Sequence, residues 1–162
     1  MARLTHVDRT GKAAMVDVGG KPVTRRRAVA EGRVRFGREA FTLLRENRLE
    51  KGDALAVARV AGIQAGKRTP EWIPLCHVIP LEKLDVAIAL EAKSREAVVT
   101  ATAVAEWKTG VEMEALVAVS AACLALYDMA KAVDRGITIS GVRLVEKSGG
   151  RSGSWKRGQP LR

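Results

Sequence analysis

Aromatic side chains are nearly missing from this chain: two Phe, one Tyr and three Trp make up 4% of 162 residues. That shortage excludes a core built on large rings, so Ala, Val, Leu and Ile are expected to fill the interior. Cysteine is scarcer still. Cys76 and Cys123 sit in unlike contexts with no C-x-x-C spacing, so neither a disulfide framework nor a zinc site is expected. The longest uncharged run, residues 115–127, falls short of the ~20 apolar residues that cross a bilayer. The N-terminal stretch has no apolar signal-peptide core, and the expected compartment is the cytoplasm. Acids are absent from the Gly- and Ser-rich end, which carries Arg151, Lys156, Arg157 and Arg162 within a net charge of +10. Such an excess suits nucleic acid, anionic membranes and phosphorylated small molecules alike, so charge alone does not choose among them.

What is present describes a soluble globular protein: 47% hydrophobic and 28% charged residues. The length suits one domain, expected over residues 1–153, with a basic flexible tail at 154–162. The stretch KTGVEMEAL at 108–116, continuing to YDMAK at 127–131, organises the rest. It predicts a long helix from 111 to about 134, opened by a Thr109–Glu112 capping box. A helix apolar around its whole circumference has to be covered on more than one side, by a second subunit or by an extended N-terminal arm. Its charges stand at the ends: Glu112 and Glu114 at the start, and Asp128, Lys131 and Arg135 sharing one face at the finish.

Around it, residues 1–24 form an extended arm with a short strand near 14–18. Residues 25–36 alternate as a strand with one charged face, and 37–47 form a short helix. Asp53 caps a second helix rich in small residues that ends at Pro70. A Pro-punctuated loop leads to strands at 84–90 and 97–105, turning at 93–95. A last strand at 137–146 carries Gly141, where the apolar phase shifts and a bulge is expected. The order is that of an α+β, ferredoxin-like β-α-β-β-α-β fold, an antiparallel sheet with helices on one face.

Each chemical candidate carries two readings. The segment GIQAGKR at 62–68 fails as a phosphate loop: three residues separate its glycines, and Arg68 stands where Ser or Thr should hold magnesium. Lys67 and Arg68 are then anion-seeking side chains or a solvated helix end. His77, in PLCH at 74–77, is a general acid or base, or a histidine satisfied within its loop. Cys76 reads as a small buried hydrophobe before a nucleophile. Asp128 and Lys131 form a helix ion pair, and at the border of a buried run such a pair can also exchange protons. The segment KSGG at 147–150 offers Lys147 and freed backbone N–H groups to a phosphate, or belongs to a solvated tail.

Seven blocks, KGD at 51, ARVAGIQ at 58, KRT at 67, IPLCH at 73, KTGVEMEAL at 108, YDMAKA at 127 and KSGG at 147, together resemble the molybdenum cofactor biosynthesis protein C family. Its members are the cyclic pyranopterin monophosphate synthases. The resemblance runs from about Leu4 to Gly153. Two departures stand out: Val78 follows His77 where the family usually has Pro, and Arg151 replaces a common Lys. The resemblance implies a ferredoxin-like fold and a hexamer built as a trimer of dimers, with active sites at the dimer contact. It implies conversion of a cyclised GTP-derived triphosphate to cyclic pyranopterin monophosphate, with loss of pyrophosphate. It further implies Asp128 as catalytic acid/base and a substrate pocket of Leu75, Cys76, His77, Met113 and Glu114. Side-chain chemistry adds Lys131, Lys51 and His77 to proton transfer, Glu112 to the pocket, and Lys147, Lys67 and Arg26 to the triphosphate. No resident cofactor or membrane partner is expected, and no carboxylate cluster marks a metal site. A divalent cation accompanying the triphosphate stays open. The rival reading is a basic ferredoxin-like module for nucleic acid. It requires exposed aromatics on the central strands, where the sequence has only Phe36 and, just past one end, Trp107.

Overall fold

The computed structural model describes residues 12–151 and 153–158. Strand β1 (Thr24–Arg35) is followed by helices α1 (Arg38–Arg45), α2 (Ala54–Gly66) and α3 (Thr69–Trp72). Strands β2 (Lys83–Glu91) and β3 (Glu96–Trp107), helix α4 (Glu112–Ala130), and strands β4 (Thr138–Ser148) and β5 (Trp155–Lys156) complete the chain. All strand pairs are antiparallel in the order β2-β3-β1-β4-β5, so β1, first in sequence, lies at the centre. This is the expected α+β, ferredoxin-like arrangement.

Alternation along the strands decides what the sheet buries. Ala28, Ala30 and Val34 of β1 and Ala97, Val99, Ala101, Ala103 and Ala105 of β3 lie in one core with Ala115, Ala118, Val119, Ala122 and Leu126 of α4. Small side chains bring the helix close to the sheet. A Cβ at Gly32 would meet Val119 Cγ1 at 2.6 Å, so α4 rests almost on the backbone of the central strand. Helix α2 approaches just as closely: a Cβ at Gly62 would stand 2.8 Å from the Ala118 carbonyl oxygen. By length and composition α4 passes as a membrane span, contrary to the reading of its apolar run as too short, but most of that span is buried in this core. The sheet and α2 cover two of its flanks. Ile73 packs on Val117 and Ala121 from a further side, and Leu124 of α4, 53% exposed, stays uncovered, as do Val57 and Val60 of α2.

Local signals fared unevenly. Asp53 caps α2, its Oδ1 accepting from Ala56 N at 2.9 Å. The register of β1 against β4 shifts between Glu31 and Arg33, opposite Gly141 at φ +63°, which is the expected bulge; a second shift lies opposite Val29 and Ala30. The capping box does not form. Val111 is the N-cap without a side-chain bond, and the Glu112 carboxylate turns to Lys147 instead. Helix α4 ends at Ala130, so Arg135 leaves the face shared by Asp128 and Lys131. Helix α2 stops at Gly66, and Pro70 lies in the first turn of α3, where its missing N–H costs nothing. Residues 14–18 pair with nothing regular, and Ala13 makes an isolated bridge. At the other end, Trp155–Lys156 pairs with Glu146 and Lys147, adding a strand within the stretch expected as tail.

Candidate active site

The N-terminal end of α4 meets the loop after α3. Pro74 and Pro80 keep that loop extended, and a bond from Cys76 N to Ile73 O (3.0 Å) sets its turn. Leu75, Cys76 and His77 thereby face Glu112, Met113 and Glu114 across a cavity of about 290 Å³, completed by Thr109, Gly110 and, from the arm, Val16, Val18 and Lys21. The six pocket residues anticipated from the sequence come together within one chain. Glu112 accepts from Lys147 Nζ at 2.8 Å and is half-buried. Glu114 differs sharply: it is only 3% exposed, and its Oε2 is buried with no hydrogen-bond partner. Burial pushes its carboxyl up to about 7; the charge of Glu112 adds to this, and a backbone hydrogen bond opposes it. Burial also raises the Cys76 thiol, with the Glu114 charge adding, so its thiolate is disfavoured and nucleophilic chemistry there with it.

A second cavity of about 470 Å³ adjoins the first, sharing Lys21, Thr109 and Gly110. Its charged lining is entirely cationic: Lys21, Arg26, Lys108 and Arg151. Arg26 donates to the carbonyls of Trp107 and Lys108, each at 3.2 Å, which fixes its guanidinium across the mouth of β3. A Cβ at Gly150 would fall inside that guanidinium, and Gly149 and Gly150 both hold positive φ, so the twin glycines let the chain close over Arg26. Lys108 Nζ donates to Gly19 O at 2.7 Å, tying the arm to this wall. Cationic walls without a carboxylate attract a multiply charged anion.

The third group stands elsewhere. Asp128 bridges two ammonium groups, Lys51 Nζ at 2.7 Å and Lys131 Nζ at 2.7 Å, and Lys51 also reaches the Asp128 carbonyl at 3.0 Å. Hydrogen bonds from Lys131 and then Lys51 draw the carboxyl down to about 2, and the Lys131 ammonium is raised in return. Met113 and Asp128 lie near opposite ends of α4, roughly 22 Å apart at a rise of 1.5 Å per residue. One chain therefore does not bring Asp128, Lys131 and Lys51 to His77.

The residues anticipated for the triphosphate also separate. Arg26 lies in the cationic cavity, Lys147 is engaged by Glu112, and Lys67 lines a different cleft with Ile63 and residues 79–84. Lys21, Lys108 and Arg151 were missed. The one available signal was that Lys108 and Arg151 sit inside or directly beside the blocks carrying the family resemblance. Among the described residues no group of three or more His, Cys, Asp or Glu gathers as a metal site.

Fold and site together define a basic α+β protein in which an acid- and imidazole-lined cavity opens onto a cation-lined one. The first offers hydrogen-bonding and proton-exchanging groups, and the second offers only cationic ones. The sequence profile of the MoaC family matches residues 15–150, and the chain belongs to that family. It is 55% identical to the cyclic pyranopterin monophosphate synthase of Thermomicrobium roseum, over 97% of this chain and 95% of that one. It is 53% identical to the synthases of Parvibaculum lavamentivorans (95% and 96% covered) and Chloroflexus aurantiacus (95% and 94% covered).

Proposed function

We propose that the protein carries out the cyclic pyranopterin monophosphate synthase reaction of molybdenum cofactor biosynthesis. A cyclised dihydroguanosine triphosphate is rearranged to the tricyclic pyranopterin, a cyclic phosphate closes, and pyrophosphate leaves. Beyond family membership, the observation that carries this reading is the pair of adjoining cavities. The ring system fits between His77, Glu112 and Glu114, while Arg26, Lys21, Lys108 and Arg151 neutralise the phosphate chain as charge builds on the departing pyrophosphate. A base-stacking module is disfavoured: β1 carries no aromatic, β3 only the half-buried Trp107, and Phe36 is buried.

Asp128, Lys51 and Lys131 join the reaction from a second copy of the chain. Leu116, Ser120 and Leu124, four apart, form the least covered stripe of α4, and Ser120 lies midway between Met113 and Asp128. Two copies crossing antiparallel about Ser120 cover that stripe. They also place the Asp128 end of one helix beside the Glu112–Glu114 end of the other. The small side chain at the crossing permits close approach. A hexamer then arises as a trimer of such dimers. The cytoplasm is the proposed location, since the substrate derives from GTP.

The test is turnover. Purified protein supplied with the cyclised triphosphate should release pyrophosphate and yield a product that oxidises to a fluorescent pterin. Absence of both, under conditions in which the Thermomicrobium roseum relative turns over, overturns the reading.

A further inference from the structure

Two carboxyl groups of the proposed site, Asp128 and Glu114, are held in opposite states. Asp128 lies between two ammonium groups at 2.7 Å, so near neutral pH it is a permanent anion with no proton to give. Glu114 is buried on the first turn of α4 with an orphaned Oε2, and it lines the cavity assigned above to the ring. An unpaired ionised carboxylate in such a place is costly, and neutralisation relieves the cost. Environments that push two acids apart separate the proton donor from the fixed charge.

We propose that Glu114, held as the neutral acid, is the catalytic proton donor of this reaction, and that Asp128 is a positioning residue whose charge fixes the Lys51 and Lys131 ammonium groups. This rests on the ring occupying the Glu114 cavity. The substrate carries an aminal carbon bonded to two ring nitrogens. The Glu114 O–H proton passes to one of those nitrogens as its bond to carbon breaks, and the bonding pair stays on that nitrogen. The carbon is left as an iminium with the second nitrogen, facing the new carboxylate. Water then adds to the iminium, and its proton returns to Glu114, so atoms and charge balance and the acid is restored.

The groups facing Glu114 frame its titration. The arm contributes Lys21, the loop Cys76 and His77, and the same helix Glu112, which is already engaged by Lys147 from β4. Helix α2 meets it through the backbone of Gly66, whose Cβ position lies 3.0 Å from the Glu114 carbonyl oxygen. A shift to about 7 then predicts which limb of the pH profile belongs to this residue: the donor is lost as pH rises, so the falling limb is its own.

The experiment compares wild type, Glu114→Gln, Asp128→Asn and His77→Gln in single-turnover pterin formation across the pH range. Substrate affinity is measured alongside by calorimetry. Wild type should slow as pH rises through about 7. Glu114→Gln keeps the volume and an N–H but cannot release a proton. It should lose about 10²- to 10⁴-fold in rate, change affinity little, and show no falling limb. Asp128→Asn and His77→Gln, though slower, should both keep that limb. An infrared band of a protonated carboxyl, present near neutral pH where ordinary carboxyl groups are ionised and missing in Glu114→Gln, identifies the group independently of turnover. Wild type that forms no pterin sinks the functional reading itself. Active wild type with Glu114→Gln within threefold of it, or with the limb lost in Asp128→Asn and kept in Glu114→Gln, overturns this proposal alone.

Discussion

Mixing two impaired variants should restore activity. His77→Ala removes the imidazole from the cavity at the start of α4, and Asp128→Asn removes the anion that gathers Lys51 and Lys131 at its end. In one chain these positions are separated by roughly 22 Å of helix, too far for one ligand to touch both. If each site combines the first cavity of one copy with the Asp128 cluster of another, a mixed dimer holds one doubly altered site and one intact site. Random exchange makes half of the dimers mixed, so about a quarter of all sites recover wild-type composition. The assay is pterin formation after equimolar variants are unfolded together and refolded, with native mass spectrometry confirming mixed assemblies. A mixture no more active than either variant alone, despite confirmed exchange, would refute the shared site. A companion change, Leu124→Asp, acts on an exposed side chain and leaves the monomer folded, but should dissociate the dimer and abolish turnover.

Lys108→Ala and Arg151→Ala should each raise KM for the triphosphate several-fold and flatten its dependence on salt, with kcat less affected; an unchanged KM at every ionic strength removes the residue from the phosphate cavity. Gly66→Ala places a Cβ 2.5 Å from Leu84 Cδ2 and should cost ~1–3 kcal/mol in urea unfolding, because α2 cannot back away from both β2 and α4; a neutral result would show that the helix yields. Glu114, raised from its ordinary value of 4.5 to about 7, binds its proton more tightly in the folded state. Its contribution is therefore full below 4.5 and is lost as pH rises through about 7, on the order of 3 kcal/mol in all, and Glu114→Gln should flatten that fall. Asp128 behaves in the opposite sense, its stabilisation present above the ordinary 3.8 and lost as pH falls toward about 2. Wild type and Glu114→Gln with parallel stability profiles between about pH 5 and 8 would show that Glu114 is not buried unpaired.

Much of the fold was legible because it is written in local patterns. Alternation marked β1, β2 and β3, the uncharged run marked α4, Asp53 marked the start of α2, and Gly141 marked the bulge in β4. Each of these signals lies within a few residues of what it specifies. The capping box misled because it too was local: Thr109 and Glu112 have the right spacing, but Lys147 of β4 competes for the carboxylate and wins. The strand β5 escaped notice because two residues carry no periodicity, and Trp155–Lys156 becomes a strand only where the edge of β4 offers it partners.

For the site, the sequence alone determined the chemical inventory. It supplied an imidazole in a Pro-stiffened loop, two acids opening a helix, an Asp–Lys pair closing it, and a surplus of cations without matching acids. Only the tertiary structure decided how these are shared out. Lys21, Arg26, Lys108 and Arg151 come from separated parts of the chain, and packing alone makes them one wall. Lys51 completes the Asp128 cluster from outside α4. Glu112 and Glu114 are the same residue type two positions apart. One accepts a hydrogen bond from the Lys147 ammonium, while burial drives the other toward neutrality. Desolvation depends on everything that surrounds a group in space, and no spacing along the chain encodes it.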